Sequence, residues 1–112
     1  MSGNQYPRAP SALKVAAHYE GQRVTLVLGG EFDMTGTALF WAHVGEAVRT
    51  RPASIIIDAR ELEFIDSSGL LAFIRAREAA AEAGATFAVV DPSPMLRHIA
   101  DLAGLTELLL DD

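Results

Sequence analysis

The chain has 112 residues, enough for one domain of ordinary size and too few for two. Half of the residues are hydrophobic and 21% are charged, which excludes a wholly disordered chain and predicts one filled core. The net charge of −6 argues against a nucleic-acid-binding surface, and the absence of cysteine excludes disulfides, thiolate metal sites and thiol catalysis.

The beginning of the chain predicts an arm rather than a folded element. Residues 1–11 are polar and lack the apolar stretch of a signal peptide, so we predict a flexible N-terminal arm, with the domain over 12–112. No apolar run approaches the roughly 18 residues that a membrane span needs. The expected location is therefore the cytoplasm.

A β-hairpin is predicted next. Mostly alternate apolar residues over 13–19 give a weak strand signal, and the β-branched and aliphatic run over 23–28 gives a strong one. A turn at 20–22 joins the two, and Gly29 and Gly30 are expected to end the second strand.

The next two elements are a helix and a buried strand. Apolar residues recur at helical spacing over 37–49, and Pro52 ends this segment. The predicted stripe consists of Phe40, Trp41, Val44, Ala47 and Val48. The run over 54–58 is almost wholly apolar, as expected of a strand covered on both faces. Residues 60–64 are predicted to be a connection in which Leu62 and Phe64 point inward.

A second helix is predicted over about 68–83, closed by Gly84 in the position after its C-cap. Its expected core-facing residues are Leu70, Phe73, Ile74 and Ala81. A buried strand over 85–90 follows, and then Ser93 as a helix cap with Pro94 at the first helical position.

A third helix over 95–103 and a last strand over 106–110 complete the chain. The predicted stripe of this helix consists of Met95, Ile99 and Leu102. The order is ββαβαβαβ. Because strands that alternate with helices form parallel neighbours with right-handed crossovers, we predict a single α/β domain, with helices packed on a mixed, mostly parallel sheet.

The sequence gives little support for an enzyme. A serine-hydrolase elbow has glycines two residues before and two after its nucleophile; Ser67 has only Gly69, and Ser68 has neither. The histidines are predicted to lie at the surface or at edges, and no pattern directs one toward Ser67. No phosphate-loop pattern follows Gly29 and Gly30.

Two acidic pairs are candidates for acid–base or cation sites. Glu31 with Asp33, and Glu61 with Glu63, each lie near the end of a strand or helix. Neither pair has a histidine or a third ligand beside it, so we interpret them as caps or solvated rims. We therefore expect no catalytic residue, metal or cofactor.

The stretch from Phe64 to Leu70 reads Phe-Ile-Asp-Ser-Ser-Gly-Leu and leads into the second helix. Aspartate and serine are preferred N-caps, worth about 1 kcal/mol against alanine, so capping alone explains one of the three polar residues. One cap is needed and three candidates are present. Gly69 would allow close approach by a neighbouring segment.

Three segments together resemble the STAS domain family, and within it the anti-sigma factor antagonists. They are the Gly-Glu-Phe-Asp run at 30–33, the strand at 55–58, and the run over 62–70 that leads into a helix. The resemblance extends over about 13–110, and its most specific part is the run from Phe64 to Leu70. Ala59 and Arg60 replace a more usual Leu-Ser, a departure that concerns the identity of the partner and not the fold.

The resemblance implies that Ser67, directly after the aspartate, is phosphorylated by a cognate anti-sigma factor, a serine kinase of the histidine-kinase-like ATPase fold. The unphosphorylated antagonist binds that kinase and frees a sigma factor; phosphorylation breaks the complex and a separate serine phosphatase reverses it. The implied partner-binding residues are Glu31, Asp33, Asp66, Ser67, Ser68 and Gly69. Neither nucleic acid nor a membrane is an expected partner.

A phosphate at a helix N-terminus is expected to be tolerated by the fold, because free N–H groups and the helix dipole favour anions. Two alternatives stay open. One is a STAS docking or scaffold subunit of a lipid-transport or stress-sensing complex. The other is a small hydrolase that uses Ser67.

Overall fold

The computed structural model describes residues 12–106, and within them it has four strands, three α-helices and one 3-10 turn. In chain order they are β1 (Lys14–Glu20), β2 (Arg23–Phe32), the 3-10 turn (Met34–Gly36), α1 (Thr37–Arg49), β3 (Ser54–Ile65), α2 (Ser67–Glu82), β4 (Thr86–Val90) and α3 (Pro94–Leu102). The predicted α/β fold is confirmed, and so is the predicted element order from the first strand to the third helix. The predicted arm over 1–11 and all but the first residue of the predicted strand over 106–110 lie outside the described residues.

The strands form one mixed sheet in the order β1-β2-β3-β4. The hairpin pair β1 and β2 is antiparallel, whereas β2 with β3 and β3 with β4 are parallel. Both parallel connections step in the same direction across the sheet, so right-handed crossovers place α1 and α2 on one face. The two helices accordingly contact each other, and α3 packs against β3.

The core lies between this face of the sheet and the helices. Burial alternates along β2, with Val24, Leu26 and Leu28 buried and the residues between them half-buried. At the end of β2, the ring of Phe32 packs against Phe40 of α1 and Phe73 of α2, with centroids 5.0 and 5.7 Å apart. Each such pair contributes about 0.5–1.5 kcal/mol beyond area burial. These three rings join the carboxyl end of β2 to both helices.

The second strand does not end at its glycines as predicted. It continues to Phe32, and Gly29 and Gly30 pair with Glu61 and Leu62 of β3. The pairing register shifts on both sides of this glycine pair, and Gly30 has a φ of +80°. Glycine adopts this conformation without steric cost, so here it bends a strand at an irregularity and does not terminate it.

The third strand is also longer than predicted. The expected connection over 60–64 is wrong, because β3 runs without a break from Ser54 to Ile65. Asp58 lies where the first register shift between β2 and β3 begins. Its carboxylate accepts hydrogen bonds from the Arg60 backbone N–H at 3.1 Å and from Arg60 Nη2 at 3.0 Å, which stabilises the chain at this shift. Leu62 is buried as predicted, but Phe64, also predicted to point inward, is 42% exposed.

The helix boundaries are close to those predicted, with two errors in the buried faces. On α2, Ala81 was expected in the core but is exposed, and Ala80 is buried instead. On α3, Leu102 is 76% exposed, whereas Leu96 and Ala100 are buried. Alanine supplies three of the six buried residues of α2 and one of the two of α3, and an apolar stripe is hard to place when its members are that small.

Candidate functional site

Two aspartates directly follow the paired ends of β2 and β3. Phe32 and Ile65 are partners in the parallel register, and the next residues along each strand are Asp33 and Asp66. The backbone N–H of Asp66 donates to the carbonyl of Phe32 at 3.2 Å, which ties the two strand ends together. Each aspartate then caps the helical segment that follows it.

Asp66 is the N-cap of α2. Its backbone is extended, and its Oδ1 accepts hydrogen bonds from the N–H groups of Ser68 at 2.9 Å and Gly69 at 3.2 Å. One carboxylate therefore does the capping for which three polar residues were candidates. The hydroxyls of Ser67 and Ser68 are not used for it. Ser67, the first residue of the helix, is exposed, and Ser68 is half-buried.

Gly69 is buried where α2 crosses the end of the sheet. A Cβ added there would lie 2.5 Å from Cγ1 of Ile65 and 3.0 Å from the carbonyl oxygen of Phe32. Real side chains do not make contacts this short. The predicted close approach by a neighbour is confirmed, and it fixes the helix start directly on the paired strand ends.

Asp33 caps the 3-10 turn beside this helix start. Its Oδ1 accepts hydrogen bonds from the Thr35 hydroxyl at 2.5 Å and from the Thr35 backbone N–H at 2.9 Å. These two bonds lower the pKa of Asp33 below its usual value, and the bond from the hydroxyl contributes most. Asp33 is therefore a carboxylate at neutral pH.

The structure gathers five of the six predicted partner-binding residues at one end of the molecule. They are Asp33, Asp66, Ser67, Ser68 and Gly69. Glu31 lies near them in β2, but it precedes the fully buried Phe32 by one residue and is paired with Phe64. Because side chains alternate along a strand, Glu31 is directed to the sheet face opposite the core that holds Phe32.

Sequence reasoning missed an apolar groove next to the serines. It has a volume of about 240 Å³ and runs between the starts of α1 and α2. Its lining residues are Met34, Thr37, Trp41, Ser68, Leu71, Ala72 and Arg75. Met34 and Leu71 are 72% and 46% exposed, respectively. The sequence did contain one indication of an apolar surface there. Leu70 and Leu71 are adjacent in a helix, so they cannot both face the same core.

Two further features were sought in the described part of the chain, a cluster of metal-ligating side chains and a helix able to cross a membrane. Among residues 12–106, the His, Asp and Glu side chains form no cluster of three or more that could hold a metal ion. No helix in that range combines the length and apolar character needed to cross a membrane. What the site displays is an exposed serine hydroxyl, two capping carboxylates and an apolar groove.

Comparison with known sequences shows the family to which the chain is similar. The family described as "Mlab, STAS domain" matches residues 15–111. RsfB, an anti-sigma-F factor antagonist of Mycobacterium tuberculosis, is 29% identical over 97 residues, which cover 87% of this chain and 79% of RsfB. An anti-sigma F factor antagonist of Paenibacillus polymyxa is 27% identical over 93 residues, which cover 82% of this chain and 79% of that protein.

Solved structures share the fold. An anti-sigma factor antagonist from Mycobacterium paratuberculosis has a TM-score of 0.79 at 25% identity, covering 90% of this chain and 86% of that one. The unphosphorylated form of the antagonist SpoIIAA has a TM-score of 0.75 at 22% identity, covering 88% of both chains, a likeness of fold alone. This chain therefore belongs to the STAS domain family, and its relatives by sequence include proteins named anti-sigma factor antagonists.

Proposed function

We propose that this chain is an anti-sigma factor antagonist, which binds a cognate anti-sigma factor serine kinase and is released when that kinase phosphorylates Ser67. The observation that carries the proposal is the exposed position of Ser67 as the first residue of α2. The neighbouring carboxylate of Asp66 does the capping there, so the serine is not needed to start the helix. Relatives named as antagonists of anti-sigma factors support the same role.

The charges around Ser67 explain how a phosphate would act as a switch. Phosphorylation adds a charge of about −1.5 to −2. The N–H groups of Ser68 and Gly69, which could otherwise bind that phosphate, already donate to Asp66. The fold is expected to tolerate a phosphate at the N-terminus of α2 mainly because of the helix dipole, which stabilises an anion there by about 0.3–1 kcal/mol. The new charge faces solvent and any docked partner, so the partner's surface experiences most of its effect.

In this proposal the unphosphorylated protein holds the anti-sigma factor and a sigma factor is freed. Phosphorylation of Ser67 ends the complex through bulk, loss of solvation and repulsion beside Asp33 and Asp66. A serine phosphatase restores the binding form. The protein itself catalyses nothing and acts in the cytoplasm, without contact to nucleic acid or membrane.

The phosphorylation site is tested with the purified chain, its cognate kinase and ATP. We expect one phosphate per chain, located at Ser67 by peptide mapping, and none in Ser67→Ala. Ser68→Ala is the matched control, because it removes the adjacent hydroxyl and leaves Ser67 in place. Phosphate on any other residue of the wild-type chain would refute the site.

The switch is tested by affinity for the kinase. Ser67→Ala should bind in the presence of ATP as tightly as the unmodified wild type does in its absence. Ser67→Asp should bind more weakly, although aspartate carries only about half the charge of a phosphate. Equal affinities of the two variants would refute the switch, and a specific partner without kinase activity would favour the docking-subunit alternative.

A further inference from the structure

Several exposed or half-buried apolar side chains are gathered around the groove between α1 and α2. Met34 and Leu71 are well exposed, and Trp41, which lines the same groove, is half-buried. Single exposed apolar residues are ordinary on protein surfaces, but apolar side chains gathered around one hollow are typical of a binding surface. Ser68 lines the same groove, so this hollow is continuous with the segment that carries Ser67.

The size of the groove limits what can occupy it. Its volume of about 240 Å³ lies below the roughly 300–1,000 Å³ of sites that enclose small-molecule ligands. A volume of this kind suits one or two side chains presented by a protein. Tryptophan and arginine, the residue types most enriched at energetic centres of protein interfaces, both line it as Trp41 and Arg75.

Arg75 indicates the charge of the occupant. It lines the groove together with Ser68 and Leu71, and within residues 12–106 it forms no ion pair with a carboxylate. The chain as a whole has a net charge of −6, and Arg75 places a positive charge at the rim of this hollow. Charge complementarity therefore favours a partner carboxylate at this rim of the groove.

We propose that this groove is the anchor point of the complex with the anti-sigma factor. It takes an apolar side chain of the kinase between Met34, Trp41 and Leu71, while a neighbouring carboxylate of the kinase pairs with Arg75. This inference rests on the proposed function. It gives Ser67 and the groove separate roles. The groove provides affinity for the kinase, and the phosphorylation state of Ser67 determines whether the surface beside the groove can contact the kinase.

Binding measurements with groove variants test the inference, made in the Ser67→Ala background so that ATP cannot alter the complex. Leu71→Glu and Arg75→Glu should each raise the dissociation constant for the kinase at least roughly tenfold, the effect of losing an interface contact of about 1.4 kcal/mol. Both residues lie in α2, where glutamate is a good helix former, so the fold should be unaffected.

Matched controls separate groove contacts from general effects of charge. Leu102→Glu changes an equally apolar and more exposed residue on α3, and Arg77→Glu makes the same charge reversal two residues along α2 from Arg75. Both should leave the dissociation constant within about twofold of the parent, well under the tenfold expected of a contact. Circular dichroism and thermal unfolding of all four variants confirm that they are folded.

The outcomes distinguish failure of this inference from failure of the proposed function. If the parent chain does not bind the kinase at all, the proposed function fails. If the parent binds and wild type is phosphorylated at Ser67, but Leu71→Glu and Arg75→Glu behave like their controls, only the groove assignment is overturned. Loss of self-association in Leu71→Glu with unchanged kinase affinity would also overturn it, in favour of a contact between copies.

Discussion

The starts of α2 and α3 use the same capping principle and differ in what surrounds it. Ser93 caps α3 by accepting a hydrogen bond from the Leu96 N–H at 3.2 Å, with Pro94 next in the chain. Asp66 caps α2 through two N–H groups and is followed by an exposed serine. A cap by itself thus explains the start of a helix and says nothing about function.

Three additions distinguish the α2 start from the α3 start. A second capped turn, at Asp33, lies beside it; Gly69 brings the helix onto the strand ends; and an apolar groove opens next to Ser68. None of these is needed to begin a helix. The residues that point to a function at the α2 start are therefore those that helix capping does not explain.

The greatest loss of stability is expected where Gly69 packs closely at the α2 start. Gly69→Ala should destabilise the protein by about 1–3 kcal/mol, because the new methyl group would overlap Ile65 and the Phe32 carbonyl. Urea unfolding measures the change. Gly45→Ala in α1 is the control: nothing lies within 4 Å of its added Cβ, and alanine should stabilise that helix by up to about 1 kcal/mol.

The test depends on the difference in the free energy of unfolding between Gly69→Ala and Gly45→Ala. If both alanine variants were stabilised alike, the close packing of Gly69 against Ile65 would be wrong, and with it the fixed position of the helix start.

A smaller effect is expected from the caps themselves. Asp66→Ala and Ser93→Ala should each destabilise by about 0.5–2 kcal/mol, with Asp66→Ala the more costly because its carboxylate serves two N–H groups and Ser93 serves one. Thermal unfolding at neutral pH compares them. The reverse order would show that the two-bond cap of α2 contributes less than its geometry indicates.

The smallest effect concerns the second carboxylate near Ser67. Thr35→Val removes the hydroxyl that contributes most to lowering the pKa of Asp33, so that pKa should rise toward the usual aspartate value while the backbone hydrogen bond limits the change. A carboxyl whose pKa is lowered by folding stabilises the protein above its unfolded-state pKa, and that stabilisation is lost as the pH falls through the folded-state pKa.

NMR titration of the Asp33 carboxyl in wild type and Thr35→Val checks this directly. In the variant the acid-induced loss of stability should be smaller, since less of it arises from Asp33. An unchanged Asp33 pKa would mean that the Thr35 hydroxyl does not hold that carboxylate in solution.

Many of the helices and strands could be predicted from the sequence, because the patterns that indicate them involve residues close together in the chain. Helical spacing gave α1, and Ser93 with Pro94 gave the start of α3, since caps and proline act on the nearest turn. Gly84, with a φ of +81°, marks the end of α2 for the same reason. The run from Phe64 to Leu70 predicted the candidate site, because its polar residues exceed what one helix cap needs and this excess is visible in the sequence itself.

Features that depend on contacts between distant segments of the chain could not be predicted from the sequence. Strand β3 continues through Glu61 and Glu63 because β2 pairs with it across two register shifts, and the same pairing leaves Phe64 exposed. The groove exists because the 3-10 turn, α1 and α2 bring Met34, Trp41 and Leu71 together. Hydrophobic pattern and capping depend on residues a few positions apart, whereas register, close approach and concave surfaces arise between segments far apart in the chain.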